Sequence, residues 1–308
     1  MEQTFLTYEQ QVALLKSKGL GIADETMAKE TLEHIGYFPL IGRYKHPFKN
    51  KTTNKYKENV DFSDILSLYE FDNVLRQIMF HYLLMVEKDI KNKIAYYFSL
   101  SYGANQEQYL QVANYSTAEC DVYGVERLID MLSSLALHPS KHAYIKHHQD
   151  KYHNVPLWVL INGITFGTTS KMFGYLPQSV QSKICKHFPL HGKQVKSILE
   201  VLTKYRNICA HGELLFSYRT HDDIPDLPLH KKMGIPQKGT QYLYGKKDLF
   251  SVLIALRYML PSLKFNEMKR AIVRLIGSFL SVCTVIDESQ LLLLMGFPEN
   301  WKKINLYK

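Results

Sequence analysis

Residues 63–102, SDILSLYEFDNVLRQIMFHYLLMVEKDIKNKIAYYFSLSY, decide the fold class. Leu68, Phe71, Leu75, Ile78, Tyr82, Met85, Asp89 and Lys93 recur at steps of three and four, apolar until the last turns. That rhythm lines one face of a helix. The stretch is expected to form one long helix or two in series, the spine of an all-α bundle. Upstream, Thr7–Lys18 and Asp24–Gly36 read as short helices opened by side-chain oxygens that can accept from free amides. Residues 37–44, YFPLIGRY, read as a packed turn, and Lys49–Lys57, with four lysines among Asn and Thr, as an exposed loop. Downstream, Val125–Leu137, Ser140–Tyr152, Pro177–Phe188 and Gly192–Gly212 are expected helices, and Pro156 opens an apolar turn. Residues 213–247 hold Pro225, Pro228 and Pro236 and read as an irregular excursion with a small hairpin at Gln241–Tyr244. Helical periodicity resumes at Asp248 and runs to Met295. The expected organisation is an N-terminal helical, basic-loop subdomain at 1–60 and a helical domain at 61–308 that carries the irregular insertion at 213–247.

Lys and Arg number 38 against 29 Asp and Glu, a formal charge of +9. Apolar content of 46 % is that of an ordinary globular protein, so disorder is not the default, and the basic surplus favours polyanionic partners. Cys120, Cys185, Cys209 and Cys283 are scattered, as free thiols are, not as a disulfide framework or zinc site. The start MEQTFLTYEQQ lacks a signal-sequence pattern, and the longest apolar stretch, Ala271–Ile286, is too short to span a bilayer. That stretch reads as a buried helix. The expectation is a cytoplasmic protein that does not engage a membrane. His138, His142, His147, His148 and His153 begin with an i, i+4 step, but no acidic or Cys ligand completes a site, so no metal or other cofactor is expected.

Lys196–His211, read as a helix, buries Ile198, Leu202, Tyr205 and Cys209 within roughly 60° of arc. Glu200, Asn207 and His211 fall on the opposite side, and Asn207 and His211 are an i, i+4 pair. Histidine can move protons near neutral pH, and arginine offers a permanently charged fork matched to phosphate oxygens. Arg206, Asn207 and His211 together suit cleavage of RNA without a metal. One histidine cannot be both acid and base, so pairing two such helices in a homodimer or higher oligomer is expected. The spacing alone is weak: Arg76 and His81 repeat it, on a helix where His81 reads as a core or boundary residue.

Arg206-Asn207-Ile208-Cys209-Ala210-His211 resembles the R-N-x-x-x-H signature of HEPN domains, a helical superfamily rich in RNases. The wider chain is similar to the Abi-like group of bacterial abortive-infection proteins (the AbiD/AbiF type), which act against phage. The likeness rests on residues 6–11 with 35–44, on Phe71-Asp72-Asn73-Val74-Leu75-Arg76 leading to 86–91, and on Val155-Pro156-Leu157-Trp158 followed by Thr165-Phe166-Gly167. It spans residues 6 to about 219. It implies a HEPN-type bundle, metal-independent endoribonuclease activity leaving 2′,3′-cyclic phosphate and 5′-hydroxyl ends, Arg206 and His211 as the catalytic pair, and Asn207 as their polar companion. A structured noncoding RNA is an implied regulator. The sequence departs from the family pattern at Lys91, often Arg, and at Glu213, often basic.

Glu87 stands where the family tends to have an acid and is expected to support the site, as an ion pair or cap rather than as a catalyst. Lys49, Lys51, Lys55, Lys57 and Arg43 are the expected RNA contacts. Tyr205 and Trp158 read as core residues. The alternatives are a non-catalytic protein that binds a structured noncoding RNA through the same fold, and a protein-binding helical scaffold.

Overall fold

The computed structural model describes residues 5–50, 52–116, 122–138 and 142–307. Its frame is α3, Phe62–Tyr102, a single helix of 41 residues and about 60 Å. Asp61 caps it through the Ser63 amide in a capping box with Asp64, and Gly103, at φ +98°, ends it. Of the expected stripe, Leu68, Phe71, Leu75 and Tyr82 are buried and Ile78, Met85, Asp89 and Lys93 half-buried, and α3 packs chiefly against α13 (Ser262–Val282) and α10 (Gly192–Ala210).

The N-terminal helices fall where their caps place them. α1 is Tyr8–Ser17 with Thr7 as cap, and α2 is Glu25–Ile35 with Asp24 as cap. The turn at 37–44 buries Leu40, Ile41 and Tyr44 through a wide helical turn, Phe38–Gly42. These residues join the same continuous core as α3 and the C-terminal helices. Between α3 and α10 come α4 (Gln106–Tyr109), α5 (Val122–Leu137), α6 (Ala143–Tyr152), α7 (Leu157–Leu160), α8 (Phe166–Tyr175) and α9 (Gln178–Cys185). After α10 the chain forms α11 (Pro228–Lys232), a hairpin of β1 (Gln237–Lys238) and β2 (Gln241–Tyr242), α12 (Leu249–Met259), α13, and α14 (Glu288–Met295). The described residues are all-α apart from that hairpin, in which Gln237 opposes Tyr242.

The excursion at 213–247 is irregular yet packed. Leu215, Phe216, Ile224, Leu227, Leu229 and Met233 are buried, and the Thr220 and Ile224 amides donate to the Lys247 and Lys246 carbonyls. Three sequence expectations need correction. Trp158 is 48 % exposed, because α7 is a short helix lying on the surface with only Leu157 and Leu160 turned inward. His81 is exposed, since the buried stripe of α3 passes through Met79, Tyr82 and Leu83 instead. α13 is not buried all round: Phe265, Met268, Ile272, Ile276 and Phe279 form one inward face, while Arg274 points to water. Among the described residues no helix is long and apolar enough to cross a membrane.

Candidate active site at the end of α10

Val195, Ile198, Leu199, Leu202, Tyr205 and Ile208 anchor α10 in the core, and the Tyr205 hydroxyl lies 2.8 Å from the Lys247 carbonyl oxygen. The opposite face carries Glu200, Asn207 and His211, all exposed as the helical geometry predicts. The helix ends sharply. Gly212 adopts φ +65°, its amide donates to Cys209 O, and the Glu213 amide donates to Ile208 O at 3.1 Å. This pair of reversed bonds is a Schellman termination, for which glycine is suited because it lacks a Cβ. His211 is thereby the capping residue, its backbone amide on Asn207 O at 2.9 Å and its side chain at the open end of the helix.

Arg206 is held from α3. Its Nε donates to Glu87 Oε2 at 3.1 Å, and the other Glu87 oxygen accepts from Lys91 Nζ at 2.8 Å. Lys91 also donates to the Ile164 carbonyl at 2.7 Å. Glu87 and Lys91 are buried, while the Arg206 side chain keeps 25 % of its surface in water. The guanidinium lies over the Phe80 ring, 6.0 Å from its centre, and Nη1 reaches Asn207 Oδ1 at 3.5 Å. Among the described residues nothing accepts from Nη2. Glu87 therefore makes ion pairs within α3 and across to α10. Lys91 faces inward and cannot stand in for an exposed phosphate contact.

A second buried network fixes the chain just beyond His211, and sequence reasoning missed it. Asp72, fully buried, accepts from the Leu215 amide at 3.1 Å, the Phe216 amide at 2.7 Å and the Tyr44 hydroxyl at 2.8 Å. Arg76 pairs with the same carboxylate and donates to the Glu213 carbonyl at 3.0 Å. Burial pushes the Asp72 carboxyl up, against the opposing pull of Arg76 and the two amides. The only hint in sequence was an Asp and an Arg on a helix face otherwise apolar. Burial also pushes the Cys209 thiol up to about 12, so the cysteine inside the motif stays protonated and is no nucleophile.

Arg43 joins this region, its Nη1 donating to the Gly212 carbonyl at 3.1 Å. With Lys49 and Lys57 it lines a hollow of about 550 Å³ bounded on the other side by Leu214, Phe216 and Ser217. Lys55 is exposed and not part of that lining, and Lys51 and Cys120 lie outside the described residues. His138 follows the last residue of α5 and His142 caps α6, so the two do not share a helix face. Among the described residues no cluster of three or more His, Cys, Asp or Glu could hold a metal. Another hollow, of about 890 Å³, sits at the opposite end of α10 beside His191 and Gly192.

No curated protein and no solved structure matches the chain. The family model described as Abi-like protein matches residues 30–217, from α2 through α10 and the loop that Asp72 pins. Both networks and the whole 206–211 motif fall inside that match, and the chain belongs to the Abi-like protein family.

Proposed function

We propose that this chain is a metal-independent endoribonuclease of the HEPN type, acting in the phage defence by abortive infection that its family membership denotes. The observation that carries the reading is the division of labour around Arg206. One edge of its guanidinium is fixed by a buried Glu87, and the remainder stays partly in water and reaches Asn207, one turn before the exposed His211. A cation oriented in this way and still open is suited to a phosphate whose charge grows in the transition state. His211, exposed at the end of the same helix, takes the proton from a ribose 2′-hydroxyl, the 2′-oxygen attacks phosphorus, and the bond to the 5′-oxygen breaks. A second proton must reach that leaving oxygen, leaving a 2′,3′-cyclic phosphate and a 5′-hydroxyl. A homodimer that pairs two α10 ends supplies the second imidazole.

One observation favours the alternative, a protein that holds a structured noncoding RNA without cutting it. Among the described residues the His211 imidazole makes no hydrogen bond, so none of them fixes its orientation in that way. End-labelled RNA incubated with wild type and with His211→Ala decides between them. The nuclease reading expects cyclic-phosphate products from wild type only. Equal cutting by both, or binding without cutting by both, rejects it.

A further inference from the structure

The hollow beside the motif differs from an ordinary surface groove in what lines it. One wall is apolar, formed by Leu214, Phe216, Ile286, Leu293 and Leu294, and Leu293 on α14 is 60 % exposed. The other wall carries Arg43, Lys49 and Lys57, and no Asp or Glu is among the lining residues. Lys16, Lys29, Lys91 and Lys204 have carboxylate partners; Arg43, Lys49 and Lys57 have none among the described residues. Burial, with Lys45 and Lys18 nearby, holds the Lys49 ammonium below its ordinary range, so an anion placed there relieves an existing repulsion.

Position ties the hollow to the motif. Arg43 lines it and also bonds the carbonyl of Gly212, the residue after His211. Leu214 and Phe216 belong to the segment that Asp72 and Arg76 clamp. The hollow therefore begins within one side chain's reach of the end of α10 and is rigidly placed there.

We propose that this hollow binds one nucleotide of single-stranded RNA next to the scissile position, its base on the Leu293 wall and its phosphates on Lys49, Lys57 and Arg43. The placement beside a scissile phosphate rests on reading residues 206–211 as the cleavage site. The volume lies in the range of small-molecule pockets, about 300–1,000 Å³, which admits a nucleotide and excludes a duplex. Unpaired RNA offers a flat apolar face and a flanking charge together, as both walls require. An acidic protein segment satisfies the cations but leaves the leucine wall wet. An apolar helix covers the leucines but strands three cations without water.

The test uses the full chain and a fluorescein-labelled oligouridine carrying 2′-O-methyl groups, which block transesterification. Leu293→Asp and Lys49→Glu should each weaken its binding about tenfold. Lys49→Glu should also lower the slope of log affinity against log salt by about one. Leu263→Asp, at an equally exposed leucine on α13 (65 %), should leave affinity unchanged. Circular dichroism checks that the variants fold. The proposal is overturned if Leu293→Asp binds within about twofold of wild type, even when Lys49→Glu is weak, because a bare cationic patch then explains the binding. Displacement by polyglutamate at equal charge overturns it too, in favour of an acidic protein partner. The same variants are assayed for cleavage of unmodified RNA. If wild type cuts in a His211-dependent way and Leu293→Asp cuts and binds alike, the nucleotide pocket alone falls. If nothing cuts while Leu293→Asp still loses affinity, the nuclease reading falls and the pocket stands as an RNA site.

Discussion

The spacing Arg-x-x-x-x-His occurs twice in this chain, at Arg76–His81 on α3 and at Arg206–His211 on α10, with opposite outcomes. Arg76 is 7 % exposed and its donors are committed to Asp72, Asn73, Tyr44 and the Glu213 carbonyl. His81 is exposed but stands against the edge of Tyr82, one residue along the same helix. Arg206 commits Nε to a buried carboxylate and keeps part of its side chain in water, where Nη1 reaches the exposed Asn207. The first arginine holds the structure together, and the second is held by it. Spacing does not separate these roles. What separates them is how many donors the interior has already used.

The largest effect should come from the second histidine alone. His211→Ala is expected to reduce RNA cleavage about 10²–10⁴-fold, the usual weight of a general acid or base, while His81→Ala changes nothing. Urea unfolding should show both within about 0.5 kcal/mol of wild type, as for exposed positions. Loss of activity in His81→Ala would erase the distinction between the two histidines. The arginines should invert that order in stability. Arg76→Met leaves Asp72 buried without its counter-charge and should cost about 3–5 kcal/mol in urea unfolding. Arg206→Met should cost about 1–2 kcal/mol, because Lys91 still answers Glu87. Comparable costs at both positions would mean that Arg206 is structural too.

Two buried carboxylates extend the contrast. Asp72 has Arg76 as a bonded partner, whereas among the described residues Asp248 accepts from the Gly245 and Ser251 amides and feels the Arg219 charge without bonding it. Burial raises the Asp248 carboxyl from 3.8 to about 6, so the folded state holds its proton more tightly than the unfolded chain does. The stability this group contributes is complete below about pH 4 and is lost as pH rises through about 6, a change of about 3 kcal/mol. Unfolding free energies of wild type and Asp248→Asn should accordingly diverge across that window. A difference that stays constant from acid to neutral pH would show that Asp248 ionises freely in the fold.

Much of this was legible in the sequence, and the illegible part has a common cause. The helices were readable because caps such as Thr7, Asp24 and Asp61 and the stripe through Leu68, Leu75 and Tyr82 act within a few residues of each other. The exposed face of α10 followed from the same short-range geometry. Asp72 gave no such signal, since its amide partner at Leu215 lies 143 residues further along the chain. Trp158 and the outer face of α13 were misjudged for a related reason. Apolar character indicates that a residue can be buried, but only the arrangement of neighbouring helices decides which ones are. Glu87 could be read from the sequence as an ion-pairing residue, yet its partner, Arg206, could be identified only once α3 and α10 were packed.

Glu87 therefore offers the smallest and most discriminating perturbation. Glu87→Gln keeps the shape and one acceptor oxygen but removes the charge that Arg206 and Lys91 share. If Glu87 acts only by aiming the guanidinium, kcat/KM should fall about tenfold, the loss expected when a charged group is slightly misplaced. Glu87→Asp, charged but one methylene shorter, should recover part of it. The pH profile of cleavage should keep its shape in both variants, because the proton-carrying group is elsewhere. A displaced profile would make Glu87 a participant in proton transfer, and an unchanged kcat/KM would show that Arg206 needs no buried partner to find its place.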